Sequence, residues 1–333
     1  MPISTDVQSW LLSDDPSAAA RFPGTRPESD PSIRARVLED VLKRPPNDPD
    51  LTSAREQVAT QGWAARILDL QQPSGQWDSP GTSSQELYVP KYIATNWRLL
   101  VLSDFGLTRH DPSIAKAVEL LLTRESGPDG GLGGTGSEVC FTGNALRMLA
   151  RFGYLDDPRT PPITGWLLHA QKEDGGWHCA PLDHGTLDCW EALAAFAAIP
   201  RSQWSAAMQR SVERGAEFYL DRGLVHEGDT PYAPWSRLHY PTHYYYDLLI
   251  GLDTLTRLGF ADDPRLAPGL DLLESKRRPE GVWWMDAVHP DIPAEEKYQP
   301  RLPVYPFVLE YPGRPSRLIT TTALAVLDRA GRS

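Results

Sequence analysis

A helical unit that recurs along the chain is the feature that most constrains its fold. The clearest copy spans residues 140–193. Its first helix is nearly apolar on several faces and is predicted to end at Gly153, because glycine tolerates the left-handed backbone of a helix C-terminus. A second, amphipathic helix is expected to begin at Asp157, a capping residue that proline follows, and a third near Leu187. The contrast between the nearly apolar first helix and the amphipathic second helix indicates that the first is an inner helix and the second an outer helix.

The unit returns at regular spacing. The glycines that end the inner helices are Gly106, Gly153 and Gly259, separated by roughly one and two periods of about 50 residues. A two-helix repeat cannot bury its apolar face alone, so the copies must stack on one another. The fold is therefore predicted to be all-α: an α/α toroid of about five to six helical hairpins around a central cavity.

The repeat also predicts how the chain divides. Residues 51–333 are expected to form a single α/α-toroid domain, with 1–50 as an N-terminal helical arm. Within the domain, the first outer helix is expected over 54–72 and the first inner helix over 92–105.

A turn with a central glycine follows each outer helix. Its copies read QQPSGQW, GPDGGL, QKEDGGW and RRPEGVW, ending at Trp77, Leu132, Trp177 and Trp283. In these motifs the chain resembles the squalene cyclase and protein prenyltransferase superfamily, whose repeats pair a glutamine with a Gly-x-Trp turn. The resemblance covers roughly residues 54–331, and it implies that the glutamine ties adjacent hairpins together. Two of the four copies depart from the pattern, since one lacks the tryptophan and another the glutamine.

Composition limits the partners and the compartment. The net charge is −11 and no basic cluster occurs, which disfavours nucleic acid and anionic membranes as partners. Three cysteines, an odd number, argue against a disulfide framework and predict a reducing cytoplasm. No apolar run approaches the length of about 18 residues that a membrane span needs, and a basic signal-peptide start is missing. We expect a small apolar substrate and no transmembrane segment.

The residues that begin the inner helices are predicted to surround the mouth of the central cavity. Polar residues at the entrance and apolar ones deeper suit an apolar ligand with one reactive end. The tyrosines of the set could equally be core aromatics whose hydroxyls bond to the backbone. The predicted substrate-binding residues are Trp97, Asn144, Trp190, Tyr244 and Tyr246.

Motifs of the superfamily's reactions are largely absent. The chain contains neither the Asp-x-Asp-Asp of class II terpene cyclases nor the Asp-Asp-x-x-Asp that binds magnesium in class I enzymes. A cyclase would need another acid, and Asp188 and Asp247 are the candidates, because desolvation can raise the pKa of a carboxyl toward use as an acid. His184 and His243 are predicted to share one mouth, as acid, base or ligand. The aromatic residues could stabilise a cation.

Zinc is a further candidate. Protein prenyltransferases bind it through Asp-x-Cys and a later His, and the resemblance places His184 where they have Asp, Thr186 where they have Cys and His243 on their His. All three cysteines of the chain lie near the same ends of inner helices, which suits a thiolate and imidazole zinc site, although single cysteines are mostly structural. The metal-ligand candidates are Cys140, Cys179, Cys189, His184 and His243; a metal-free cavity is the alternative.

Three functions stay open on the sequence alone. The first is a terpene cyclase/prenyltransferase-like enzyme that binds an isoprenoid-like substrate in the central cavity. The second is a zinc-thiolate enzyme acting on a small molecule at the cavity mouth. The third is a non-catalytic carrier of an apolar ligand. Metal content would distinguish the second from the others, and turnover would distinguish the first from the third.

Overall fold

The structure, a computed structural model, describes residues 3–13, 16–25, 29–77, 87–88, 94–133, 136–243, 245–288 and 309–332. The all-α prediction is confirmed, since helices and short connections make up nearly all of these residues. Strands occur there only as two short antiparallel pairs, β1 (His226–Glu227) with β2 (Thr230–Pro231) and β3 (Trp284–Met285) with β4 (Arg314–Pro315). The helices are α1 (Thr5–Leu12), α2 (Pro16–Ala20), α3 (Pro31–Arg36), α4 (Pro49–Val58), α5 (Gly62–Leu68), α6 (Thr95–Asp104), α7 (Pro112–Arg124), α8 (Val139–Phe152), α9 (Thr160–Ala170), α10 (Glu191–Ala197), α11 (Ala206–Asp221), α12 (Leu248–Arg257), α13 (Ala267–Ser275) and α14 (Arg317–Arg329).

Two compact units contain these helices. The first unit comprises residues 1–66 and 223–333, and the second unit comprises 67–222. In the part of the chain that the structure describes, none of the helices has the length and apolarity to cross a membrane. The division into an arm (1–50) and a toroid domain (51–333), and the closure of the hairpins into a ring, stay predictions.

Glycines end the inner helices as the repeat predicted. Gly106 and Gly153 follow α6 and α8 with φ of 84° and 86° in the second unit, and Gly259 follows α12 with φ of 88° in the first. Only glycine adopts this left-handed backbone without a steric cost. The next outer helix, α9, begins at Thr160, later than expected, because Asp157 first caps a turn by accepting the N–H of Arg159 at 2.9 Å.

The tryptophan turns are built alike wherever the tryptophan is present. Trp77, Trp177 and Trp283 are buried, and each indole N–H donates to a backbone oxygen ten residues earlier, at 2.6, 2.9 and 2.7 Å. A large apolar ring and a satisfied N–H at the same place stabilise the end of each outer helix. The turn geometry therefore confirms the sequence repeat.

Glutamine connects neighbouring outer helices, as the resemblance implied. Gln71 donates from Nε2 to the carbonyl oxygen of Ser113 on α7 at 2.8 Å, and Gln171 donates in the same way to Ser211 on α11 at 2.8 Å. Both side chains also bond to the glycine carbonyl of their own turn, at 3.0 and 2.8 Å. Each of these hairpins is thereby tied to the next through a half-buried amide.

A threonine at the start of the inner helix holds the turn from the other side. The hydroxyls of Thr95, Thr142 and Thr320 accept backbone N–H groups from Trp77, Leu132 and Trp283 at 3.0, 2.9 and 3.0 Å. The bond to Leu132 shows that this copy keeps the turn without a tryptophan.

The predicted outer helix over 54–72 is wrong. It is broken into α4 and α5 at Gly62, which has φ of 71°. Asp30 causes the break, because its Oδ2 accepts the N–H of Trp63 at 2.7 Å. A Cβ at position 62 would approach that oxygen to 2.2 Å. The first inner helix, α6, begins at Thr95; residues 92 and 93 of the predicted span lie outside the described residues.

Candidate functional site

The three cysteines meet in the second unit, where α8 and α10 begin. Cys179 lies in the loop between α9 and α10, and its sulfur accepts the backbone N–H of Cys140 at 3.3 Å and the thiol of Cys189 at 3.7 Å. The Cys140 thiol donates to the carboxylate of Glu138 at 3.7 Å. Cys179 is exposed, whereas Cys189 is buried. The clustering expected from the sequence is therefore present.

Hydrogen bonding shifts the pKa values of the three thiols in different directions. Hydrogen bonds from Cys140 and Cys189 to the sulfur of Cys179 hold the pKa of the Cys179 thiol well below its usual range. The same contacts, together with burial, raise the pKa values of Cys140 and Cys189. Negative charge is consequently favoured on the sulfur of Cys179, which accepts the backbone N–H of Cys140 and the thiol of Cys189.

The structure gives the zinc prediction no support. No group of three or more His, Cys, Asp or Glu side chains within the described ranges could hold a metal ion. His184 is exposed, and its ring contacts Asp183 at 3.0 Å and His178 at 5.9 Å between centroids. His243 is buried with φ of 42° and belongs to the first unit. The shared mouth of His184 and His243 stays a prediction.

Glu191, the first residue of α10, is the buried acid of the second unit. Its side chain is 0% exposed, and neither carboxyl oxygen has a hydrogen-bond partner among the residues that the structure describes. Burial raises its pKa well above the ordinary value; the charge of Cys179 adds to the rise and that of Arg147 opposes it. Burial therefore favours the protonated, uncharged form more than it would be favoured in an exposed glutamate.

Close packing of α8 on α10 positions this carboxyl. Gly143 allows the approach, because a Cβ there would lie 2.6 Å from the backbone carbon of Glu191 and 2.7 Å from the nitrogen of Ala192. One turn later, Arg147 is buried with its guanidinium 4.8 Å above the ring centroid of Trp190. A cation and an aromatic face thus belong to the helices that carry the acid.

Other polar groups are buried on the same inner helices. Asn144, predicted from the sequence, is buried on α8. Asn96 is buried on α6, and neither atom of its amide has a hydrogen-bond partner within the described part of the chain. An unpaired amide such as that of Asn96 is rare in a purely structural core, because leaving a buried polar group unpaired costs about 1–3 kcal/mol of free energy.

The predicted aromatic residues are mainly core residues. Trp97 is buried and donates from Nε1 to the carbonyl oxygen of Tyr88 at 2.8 Å. Tyr246 is also buried, and its hydroxyl donates to the carbonyl oxygen of Leu224 at 2.9 Å, which confirms the alternative reading of a core tyrosine. Tyr244 lies outside the described residues.

Asp247 forms a buried pair with His239 in the first unit. Its Oδ2 lies 2.6 Å from Nδ1 of His239 and accepts that residue's backbone N–H at 2.9 Å, and its Oδ1 accepts the N–H of Ile250 at 2.9 Å. Nε2 of His239 is buried with no hydrogen-bond partner in the described ranges. The carboxylate thus orients the imidazole through its Nδ1. The other predicted acid, Asp188, is exposed.

Sequence reasoning missed Glu191 and His239. Glu191 is the only charged residue in the otherwise apolar run CWEALAAFAAI that starts at Cys189, and a lone charge in such a run is a usable signal of a buried acid. His239 lies in a loop with no periodic pattern, so the sequence contained no comparable signal for it.

No protein-family model matches the chain, and no curated protein matches it either. Among solved structures it is similar to the type II terpene cyclase MstE from Scytonema, with 16% identity over 90% of this chain and 87% of that one and a TM-score of 0.47. MstE has also been solved with geranylgeranyl dihydroxybenzoate as substrate. A protein from Actinoplanes (18% identity, 91% of each chain, TM-score 0.45) and a polysaccharide lyase (12% identity, 91% and 88%, TM-score 0.43) are similar too.

Proposed function

We propose that the chain is a terpene cyclase-like enzyme in which Glu191 protonates an apolar, isoprenoid-like substrate. The observation that carries the proposal is the state of this carboxyl: it is fully buried, and neither oxygen is bonded within the described residues. A carboxyl that transfers its proton to carbon must keep the proton at working pH and must not be committed to another acceptor. Glu191 meets the second condition, and burial shifts its pKa in the direction that the first condition requires.

The other carboxyls are less suited to this role. Asp188 is exposed, so water competes for any proton that it carries. Asp247 already accepts hydrogen bonds from His239 and Ile250 through both of its carboxyl oxygens. Asp247 is better placed to orient His239.

Proton transfer from Glu191 leaves a carboxylate in a buried place, which needs compensation. Arg147 on α8 provides a positive charge that already acts on this carboxyl. On the substrate, addition of a proton to a carbon–carbon double bond forms a carbocation, which closes a ring or shifts its charge and then loses a proton to a base. One proton is gained and one is lost, so the net reaction is an isomerisation.

Solvent deuterium tests the proposal directly. The purified protein is incubated in D₂O with linear isoprenoids such as squalene and geranylgeraniol, and products are analysed by gas chromatography and mass spectrometry. We expect an isomer that contains deuterium bound to carbon. Glu191→Gln should lower the rate about a hundredfold or more, the usual contribution of a general acid, while the melting temperature does not fall.

Glu56→Gln, a change at an exposed glutamate of α4, serves as the matched control and should keep the wild-type rate. Full activity in Glu191→Gln would exclude this residue as the acid, and an isomer without deuterium would exclude protonation of carbon. Binding of an isoprenoid with no conversion would identify the chain as a carrier instead.

A further inference from the structure

The loop that carries Cys179 has a rigid base and an exposed tip. An antiparallel bridge joins Trp177 to Thr186, whose N–H donates to the Trp177 carbonyl oxygen at 2.9 Å. Asp174 accepts the N–H groups of Gly176 and Gly185 at 3.1 and 2.9 Å, which fixes both sides of the loop. Residues 179–184 between them are exposed.

This base holds two sulfur atoms next to each other. Cys179 lies two residues beyond Trp177 on one side of the bridge, and Cys189 lies three residues beyond Thr186 on the other. Their sulfur atoms are 3.7 Å apart, whereas a disulfide requires about 2.05 Å. The chain entropy that must be lost when a disulfide closes a loop has therefore already been lost to the bridge.

We propose that Cys179 and Cys189 form an oxidative modification site, which takes a hydroperoxide as oxidant and closes to a reversible intramolecular disulfide. The proposal goes beyond the proposed acid catalysis and does not depend on it. The hydroperoxide reaches the sulfur of Cys179, because Cys179 is exposed while Cys189 is buried. The sulfur of Cys189 then attacks the oxidised Cys179, because the Cys189 thiol already donates to the sulfur of Cys179.

The chemistry balances in two steps. The sulfur of Cys179 attacks one peroxide oxygen, the O–O bond breaks, and Cys179 becomes a sulfenic acid as the second oxygen leaves as water or alcohol. The sulfur of Cys189 then attacks the sulfenic sulfur, loses its proton and expels water. Two thiols supply two electrons, one hydroperoxide accepts them, and an added dithiol reverses the modification.

Cys140 is the alternative disulfide partner of Cys179. A tryptic digest distinguishes the two possible disulfides, because trypsin cleaves after the lysine and arginine residues that separate the cysteines. Trypsin cuts after Lys172 and Arg201, so Cys179 and Cys189 are released on one peptide, whereas Cys140 lies on another, between Arg124 and Arg147. A disulfide between Cys179 and Cys189 leaves this peptide lighter by two hydrogen atoms and unalkylated. A disulfide to Cys140 joins two peptides.

The experiment treats the reduced, full-length chain with hydrogen peroxide, blocks the remaining thiols with N-ethylmaleimide under denaturing conditions, and analyses the non-reduced tryptic digest by mass spectrometry. We expect the internal disulfide in the wild type and in Cys140→Ser, and its loss after treatment with dithiothreitol. Cys189→Ser should abolish the disulfide and leave a sulfenic acid at Cys179 that dimedone labels.

Cys179→Ser, a change at the exposed position, provides the second test if Cys189→Ser proves unstable. In that variant Cys140 and Cys189 should both remain alkylated after peroxide treatment, while the circular dichroism melting curve stays that of the wild type. Two peptides joined through Cys140, or three alkylated cysteines in the peroxide-treated wild type, would overturn the proposal.

Discussion

Burial of the Glu191 carboxyl makes the protein less stable as pH rises. Glu191 has a pKa above its usual value in the folded chain, with burial as the main cause. Between the unfolded value near 4.5 and the folded value, the unfolded chain releases a proton that the folded chain keeps. The free energy of unfolding therefore falls as pH rises through this window, by about 1.4 kcal/mol per pH unit.

Glu191→Gln should remove the contribution of this residue to the pH dependence, because the amide has nearly the same shape and does not ionise. We expect equal unfolding free energies for variant and wild type near pH 4, and a more stable variant at pH 8. Urea unfolding followed by circular dichroism measures both, with Glu56→Gln as the matched control at an exposed site. A wild type that is as stable as the variant at pH 8 would show that the carboxyl ionises without cost, and the proposed acid would lose its basis.

At the scale of elements, contact between α8 and α10 depends on one glycine. Gly143→Ala would place a Cβ 2.6 Å from the Glu191 backbone, and backbone atoms cannot yield as a flexible side chain does. We expect a loss of about 1–3 kcal/mol in unfolding free energy, the usual cost of overpacking. The shift of α10 should also lower the turnover expected of Glu191.

Gly165→Ala on α9 is the matched control for that change. It too replaces a helical glycine, but a Cβ at position 165 meets no atom within 4 Å. Alanine should there raise stability by about 0.5–1 kcal/mol through the lower entropy of the unfolded chain. Equal effects of the two substitutions would mean that helix propensity, rather than contact between α8 and α10, determines the result.

Local signals predicted the elements, and long-range contacts account for the errors. Gly153 ends α8 as expected, because the requirement for a left-handed residue acts within one turn. The break at Gly62 depends on Asp30, a partner more than a helix away in sequence, so periodicity alone could not show it. The same limit applies to the site: its cysteines were found through residue type, whereas the burial of Glu191 depends on how α8 packs against α10.

At the scale of the molecule, ionic contacts join distant parts of the chain within the first unit. Asp253 on α12 lies 3.0 Å from Nε of Arg257 and 2.5 Å from a guanidinium nitrogen of Arg329 on α14. Arg257 also contacts Asp40, near the N-terminus, at 3.4 Å. Residues from the beginning, middle and end of the chain therefore share one network of charges.

This network predicts an acid-dependent loss of stability. Burial alone would raise the pKa of Asp253, but Arg257 and Arg329 outweigh it and hold the pKa below the ordinary value of 3.8. A carboxylate with a depressed folded pKa stabilises the protein above the unfolded pKa, and this contribution disappears as pH falls below it. Asp253→Asn should cost roughly 3 kcal/mol near neutral pH, because it leaves the arginines without their shared partner.

The difference between wild type and Asp253→Asn should stay constant from about pH 5 to 8. It should shrink progressively below pH 3.8, because the unfolded wild-type chain then binds a proton at Asp253 that the folded chain, with its lowered pKa, does not yet bind. Unfolding midpoints in urea across this range measure it. Asp271→Asn is the matched control: its carboxylate contacts Arg332, but its side chain is 69% exposed, so its loss should cost no more than about 1 kcal/mol at any pH. Equal losses in both variants would mean that the partly buried network contributes no more than a surface ion pair, and that apolar packing alone holds these distant parts of the first unit together.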